Sequence, residues 1–235
     1  MRSVKDDRGY NQGWAETRST QVRLERRCDY MISQMNVSPE KSVMEIGCGT
    51  GLNSYMLAKK TGMKVLGNDL CVPFIEEANR TYKLTNLHYD ILDFNKADQF
   101  KGEKFDYIIG NGILHHLFYH LDSALVNMRN LLKDDGKIFF FEPNIYNPYV
   151  YLIFSYPSLR KKANLEPDEM AFSKVYIKKK LTNAAYKDIK VEYKDFLLPG
   201  IPDALITPSI VAGNVLEKIP LVKKISQSIF ISASK

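Results

Sequence analysis

The stretch Ser42-Val43-Met44-Glu45-Ile46 runs directly into Gly47-Cys48-Gly49-Thr50-Gly51, and a helix-compatible stretch, 52–60, follows at once. Few arrangements constrain a fold as tightly as an apolar strand, a turn of alternating glycines and a helix. The glycines accept positive φ and let the main chain approach a ligand with no Cβ in the way. The helix start behind them presents unpaired N–H groups. Spacing narrows the ligand. A dinucleotide turn, Gly-x-Gly-x-x-Gly, would need glycine at position 52, which is Leu52. A phosphate-gripping loop would need Gly-Lys-Ser/Thr, and no lysine follows Gly51.

Strand-like and helix-like stretches alternate on both sides of this turn, the grammar of an α/β domain with a mostly parallel sheet. A helix is expected over 19–35, with Leu24, Cys28, Met31 and Met35 on one stripe, broken by Asn36-Val37-Ser38-Pro39. A strand over 63–68 ends at Asp69, and a helix over 73–84 has proline in its first turn. A short strand at Leu87-His88-Tyr89 ends at Asp90. Phe105-Asp106-Tyr107-Ile108-Ile109 is a fourth strand, leading into Gly110-Asn111-Gly112. A helix over 121–132, a turn at Asp134-Asp135-Gly136 and a strand over 137–142 complete five strand–helix repeats.

After Pro143 the pattern changes. Residues 143–172 crowd Tyr146, Tyr149, Tyr151, Phe154, Tyr156 and Phe172 among helix breakers, and read as a lid insertion. A lysine-heavy helix over 173–186 and strands over 189–196 and 226–232 follow. Between those strands, 197–222 is apolar and punctuated by proline. Ile210, Val211, Val215, Leu216 and Ile219 suit one face of a short helix flanked by Lys218, Lys223 and Lys224. Such a face can cover the sheet, meet a second copy, or rest on an anionic membrane surface.

The chain has 235 residues, of which 45% are apolar and 26% charged, a profile that fits one globular domain and not a disordered chain. No apolar run nears the roughly 20 residues of a membrane span, and a secretory leader is not expected. Cys28, Cys48 and Cys71 are odd in number and far apart, so a disulfide framework is excluded and a cytoplasmic setting is expected. Residues 1–150 hold 19 basic and 19 acidic residues, whereas 151–235 hold 14 and 8, so the net +6 sits in the last third. That surplus suits a solvated lysine-rich face or an anionic partner.

Four markers fall in order at four strand ends: Glu45-x-Gly47-x-Gly49-x-Gly51, Asp69, Asp90-Ile91-Leu92, and Asn111-Gly112-Ile113-Leu114-His115-His116. A carboxylate placed as Asp69 is can accept both hydroxyls of a ribose. Together the markers resemble the class I S-adenosylmethionine-dependent methyltransferases, of the broad type-11 kind that acts on small molecules. The resemblance implies a Rossmann-like three-layer α/β sandwich, with a mostly parallel seven-stranded sheet and an antiparallel last strand. It implies one domain, divided into an N-terminal cap (1–38), a cofactor-binding core (40–142), the lid (143–172) and the C-terminal half of the sheet (173–235). S-adenosylmethionine is the implied cofactor and S-adenosylhomocysteine the product. Glu45, Gly47, Cys48, Gly49, Gly51, Asp69, Leu70, Asp90, Ile91, Leu92, Asn111, Gly112 and His115 are the implied cofactor-binding residues. Tyr10 and Trp14 are expected to close over the ligand.

His115 and His116 are the candidate catalytic residues, since a histidine can take the proton of an acceptor hydroxyl. His116 and His120 have a metal-ligand spacing, but no glutamate follows the first histidine and no cysteine lies near, so no metal is assigned. Asn111-Gly112-Ile113-Leu114 stands where nucleobase-amine methyltransferases carry Asn/Asp-Pro-Pro-aromatic, which disfavours that chemistry and nucleic acid as partner. The expected reaction is methyl transfer, at oxygen, to a small metabolite, sugar or lipid-linked acceptor, by a monomer or homodimer, with peripheral membrane contact as one way to reach a lipid. An RNA or protein methyltransferase using the basic C-terminal third, and a non-catalytic cofactor-binding regulator, are the alternatives.

Overall fold

The structure is a computed structural model and describes residues 17–93, 96, 102–166 and 169–235. Its elements, in order, are α1 (Arg18–Ser33), β1 (Ser42–Ile46), α2 (Leu52–Thr61), β2 (Lys64–Asn68), α3 (Val72–Thr81), β3 (Leu87–Asp90) and β4 (Phe105–Asn111). A 3-10 turn, Leu114–His120, leads into α4 (Leu121–Leu131) and β5 (Leu132–Pro143). Then come α5 (Pro148–Ser155), α6 (Pro157–Lys162), α7 (Lys174–Asn183), β6 (Lys187–Lys194), α8 (Asp203–Leu216) and β7 (Ser228–Ser234).

The seven strands form one sheet in the order β3-β2-β1-β4-β5-β7-β6. The pairs from β3 to β5 are parallel, while β7 runs antiparallel to both β5 and β6. Side chains alternate between faces along a strand. Ile138 and Phe140 therefore join Met44, Ile108, Leu125 of α4 and Ile177 of α7 in one core. Phe139 and Phe141 join Val43, Ile109, Met31 of α1 and Leu57 of α2 in the other. Burial on both faces explains why β1 and β5 read as near-continuous apolar runs, and each buried Leu, Ile or Phe contributes about 1.5–3 kcal/mol. The strand order reverses between β1 and β4, whose carboxyl ends flank the crevice where open α/β sheets bind ligands.

Some boundaries differ from the sequence expectation. β5 starts at Leu132 and takes in Asp134-Asp135-Gly136, expected as a turn. The pairing jumps from Phe105↔Leu132 to Tyr107↔Lys137, so these residues bulge against β4. Lys133 Nζ meets Asp106 Oδ2 at 2.7 Å beside that irregularity. α3 stops at Thr81, β6 and β7 are each offset by two residues, and α7 starts behind Ser173, whose side chain accepts from the Tyr176 amide.

α8 departs most. The expected apolar face is not its buried one: Val211 and Val215 are 61% and 57% exposed, Ile219 lies beyond the helix and is exposed, and Ile210 and Leu216 are half-buried. The helix buries Ile206 and Gly213 instead, seven residues apart on one stripe. A Cβ at Gly213 would stand 3.1 Å from Phe196 Cβ, so the small residue permits the close approach.

Candidate functional site

The glycine turn and Asp69 meet as one cradle. Gly47 and Gly49 have φ of +64° and +54°, in the left-handed region. A Cβ at Gly47 would lie 2.5 Å from Ile113 Cδ1, so this glycine serves internal packing. A Cβ at Gly49 would have nothing within 4 Å, so bare main chain borders open space there. The Gly49 amide donates to Asp69 Oδ2 at 3.0 Å, and the Cys71 amide to Asp69 Oδ1 at 2.9 Å. The buried Cys48 ties the turn to β2 through its amide, which donates to Asn68 O at 3.0 Å. The two amides hold both oxygens of Asp69 against the turn. An acceptor fork beside unobstructed main chain fits the ribose and chain of S-adenosylmethionine.

Glu45 is placed differently from the expectation. It is 2% exposed, and its oxygens accept from Asn53 Nδ2, at 2.6 Å, and from Ser54 Oγ. With no surface left for a ligand, it braces the first turn of α2 and so the glycine turn. Burial pushes its carboxyl up to about 7, against the pull of the Ser54 and Asn53 hydrogen bonds. Tyr89, which the sequence did not single out, lies under the same turn and donates its hydroxyl to Gly51 O at 2.7 Å.

At the neighbouring strand ends, Leu70 and Ile91 are exposed, and Asp90, also exposed, accepts the Ile91 amide at 2.8 Å. Asn68 pairs with Asp90 across the strands, and its side chain donates to Leu92 O at 2.9 Å. These residues form one rim beside Asp69. Tyr10 and Trp14 lie outside the described residues.

The end of β4 carries a denser cluster. The Gly112 amide donates to Phe141 O at 2.7 Å. Glu142, fully buried on β5, accepts the amides of Ile113 at 3.0 Å, Leu114 at 2.8 Å and His115 at 3.2 Å. Its Oε2 also stands 2.8 Å from His115 Nδ1. With three amides donating to Glu142, its Oε2 is placed to accept from Nδ1–H as well, which turns Nε2 of His115 toward the lid. His115 Nε2 faces Glu169 Oε2 at 3.7 Å, and His116 Nδ1 lies 3.4 Å from Glu169 Oε1 and 3.5 Å from Glu166 Oε2. The lid is tied in by the Met170 amide, which donates to His115 O at 3.2 Å. Burial alone would lower the His116 pKa, but the facing Glu166, Glu169 and Glu142 carboxylates outweigh it and raise it. His116 and His120 do not share a regular helix: the turn is kinked at Leu117, and His120 is exposed at its end. The histidines that converge are His115 and His116, with Glu169.

Asn111 is held from α1. Its Oδ1 accepts from Arg27 Nη1 at 2.8 Å, while Arg27 Nε donates to Asp195 Oδ2 at 2.8 Å and Arg23 Nε to the same oxygen at 3.0 Å. Burial, with Arg23 adding repulsion, brings the Arg27 pKa down to about 9 against the pull of Asp195, so the guanidinium stays charged at neutral pH. Burial would raise Asp195, yet Arg27 and Arg23 hold it below the usual carboxylate range. No short-range pattern links residues so far apart in the chain.

A cleft of about 820 Å³ runs along the β2–β3 side of the sheet, from Ser42, Lys64 and Phe105 at the amino ends of the strands to Asp90 at the end of β3 and Leu92 past it. Its amino-end part lies away from the crevice where open α/β sheets bind ligands, while Asp90 and Leu92 belong to both the cleft and the rim beside Asp69.

The fold is a Rossmann-like α/β domain with the cradle at the carboxyl ends of its strands. Residues 44–138 match a family model described as a methyltransferase domain. Over 120 residues, 48% of this chain and 50% of the relative, the sequence is 34% identical to a ubiquinone biosynthesis O-methyltransferase of Histophilus somni. The chain thus spans about half the length of the ubiquinone O-methyltransferases it matches. The fold is similar to a methyltransferase solved in complex with the Haloferax volcanii Trm112 activator (TM-score 0.70, 16% identity, 99% of each chain). It is also similar to magnesium protoporphyrin IX methyltransferase of Synechocystis with bound S-adenosylhomocysteine (TM-score 0.60, 16% identity, 92% of this chain and 84% of that one). Residues 44–138 therefore match a methyltransferase domain, set in the fold that these solved methyltransferases share. A phosphoethanolamine N-methyltransferase of Haemonchus contortus with this fold was solved with S-adenosylmethionine (TM-score 0.61, 15% identity, 89% of this chain and 52% of that one).

Proposed function

We propose that the protein methylates an oxygen of a small-molecule acceptor. The reading is carried by the buried His115, oriented by Glu142 and placed with His116 and Glu169 three residues past Gly112. S-adenosylmethionine supplies a methyl group already activated on a sulfonium sulfur. What the chain must add is alignment and exclusion of water. A hydroxyl acceptor also needs its proton drawn off, whereas a neutral amine needs little help. A nitrogen lone pair and a carboxylate set side by side at the carboxyl end of β4 are suited to that task.

The other residues divide the work of binding. Asp69 accepts the ribose diol and Asp90 the adenine amino group, while Leu70, Ile91 and Leu92 cover the ring. Gly49 gives the methionine chain a bare backbone to lie on, and Gly47, Cys48 and Gly51 shape the turn that presents it. Asn111, fixed by Arg27, and Gly112 border the methyl end. Segment 143–172 serves as a lid that roofs the histidines, and its exposed Tyr146, Tyr149 and Tyr151 offer an aromatic surface. Exposed Val211, Val215 and Leu221 beside Lys218, Lys223 and Lys224 support an apolar or lipid-linked acceptor met at an anionic interface. No helix among the described residues is long and apolar enough to cross a membrane. The three cysteines are unbridged, which supports a reducing cytoplasmic setting. The relative named an O-methyltransferase points the same way.

The test is incubation with methyl-labelled S-adenosylmethionine and a panel of phenols, sugars and prenylated phenols, read by mass spectrometry. A labelled methyl ether that disappears with His115→Ala is expected. Label on nitrogen or carbon, or no turnover on any hydroxyl, would overturn the reading.

A further inference from the structure

The geometry points to a divalent metal site formed by His115 Nε2, His116 Nδ1 and Glu169, of the zinc type, with a further coordination position for the acceptor's oxygen. The inference rests on the methyl-transfer reading for its role, in which a bound ion, in place of a free His115 nitrogen, would acidify the acceptor hydroxyl; its ligands stand on geometry alone.

Distances come first. The two histidine–Glu169 separations are 3.7 and 3.4 Å, and the three donor atoms all lie within 4.8 Å of one another. Bonds of about 2.0–2.2 Å to one tetrahedral ion put neighbouring ligands about 3.3–3.6 Å apart. The two contacts use different oxygens of Glu169, Oε2 and Oε1, and Glu166 Oε2 also faces His116 Nδ1 at 3.5 Å, so an ion would draw one Glu169 oxygen and both nitrogens in from their 4.8 Å spread.

Orientation agrees. Glu142 Oε2 accepts a hydrogen bond from His115 Nδ1–H, which turns Nε2 toward Glu169. A carboxylate behind a histidine that faces a ligand site is the arrangement that fixes tautomer and ring direction in metal centres. The imidazoles lie 4.2 Å apart, so both reach one point. Arg160 anchors the opposing segment through the carbonyls of Phe154, Glu166 and Glu169. The Glu166 amide donates to Glu169 Oε1 at 3.1 Å. The third ligand is therefore held in place before any ion arrives.

Charge supplies the remaining reason. His115 is 8% and Glu169 4% exposed, and Glu142 is fully buried beside them. Buried carboxylates are costly unless paired or bound to a metal. Two imidazoles and one carboxylate suit zinc, iron or cobalt and not magnesium or calcium, which prefer all-oxygen sites. Three protein ligands with one position open is the pattern of catalytic metal centres, as opposed to structural ones.

The test uses chelator-stripped protein dialysed against Co²⁺, with bound metal counted by mass spectrometry and its d–d bands recorded. S-adenosylhomocysteine binding is measured on the same samples. One Co²⁺ per chain is expected, lost in His116→Ala and in Glu169→Gln while S-adenosylhomocysteine still binds. Glu142→Gln should weaken Co²⁺ about 10- to 100-fold. No stoichiometric Co²⁺ on protein that binds S-adenosylhomocysteine, or undiminished Co²⁺ in both ligand variants, would overturn the site. Failure of S-adenosylhomocysteine to bind the unaltered protein would instead sink the methyl-transfer reading, with the metal count still read independently.

Discussion

Asp69 Oδ2 accepts the amide of Gly49 at 3.0 Å, a bond that joins the turn after β1 to the residue that follows the adjacent parallel strand β2. It fixes the carboxylate against the one glycine of the turn whose missing side chain leaves open space, not packed atoms. Carboxylate and bare backbone therefore form one surface.

The glycines of the turn should respond differently to substitution. Gly47→Ala drives a methyl into Ile113 and should cost at least 1–3 kcal/mol, as overpacking does. Gly49→Ala meets no protein atom, so its stability cost is confined to the left-handed backbone, about 1 kcal/mol. Its cofactor affinity should nevertheless fall at least tenfold, because the methyl enters the ligand's space. Thermal melting paired with calorimetry separates the two outcomes. Unchanged affinity in Gly49→Ala would contradict the cradle.

Asp195 answers two buried arginines. Asp195→Ala leaves the Arg27 guanidinium buried without its carboxylate and should cost about 3–5 kcal/mol in urea unfolding. A loss under 1 kcal/mol would show that Arg27 does not depend on this pair. S-adenosylhomocysteine affinity should also fall in the folded fraction, because Arg27 positions Asn111.

Glu45 gives the stability a pH slope. Its carboxyl titrates at about 7 in the fold, against an ordinary 4.5. Between those values the folded chain keeps a proton that the unfolded chain has released, so stability falls as pH rises through the window and is fully retained below it. From pH 5 to pH 8 this one group should account for a loss of about 2–3 kcal/mol. Glu45→Gln should flatten the slope, as followed by urea unfolding at both pH values. Parallel slopes in variant and parent would exclude Glu45 as the source.

The buried stripe of α8 can be checked by contrast. Val211→Ser and Val215→Ser should move stability by no more than about 0.5 kcal/mol, as at exposed sites. Ile206→Ala should cost about 2 kcal/mol or more, as a cavity does. Equal effects would return the helix to the face that its sequence suggested.

Sheet and cradle were legible because their signals are local. Strands buried on both faces, glycines at a strand–helix turn and acids at strand ends are all written in neighbouring residues. Glu142, Glu169, Arg27 and Asp195 carry no such mark. Each gains its role from a partner brought close by the fold, as Glu142 does with His115 and Arg27 with Asp195. Asp134-Asp135-Gly136 has the composition of a turn, yet pairing along β4 and β7 draws it into β5. In α8 the bulky apolar residues suggested the buried face, but close approach to Phe196 selects the smallest residue, Gly213.

The most direct test of the account is calorimetric titration of S-adenosylhomocysteine into the protein and into Asp69→Ala. One saturable site per chain is expected, weakened about 10- to 100-fold by the substitution, the range of a lost charge-assisted hydrogen bond. Absence of saturable binding to the unaltered protein, or equal affinity in Asp69→Ala, would contradict it.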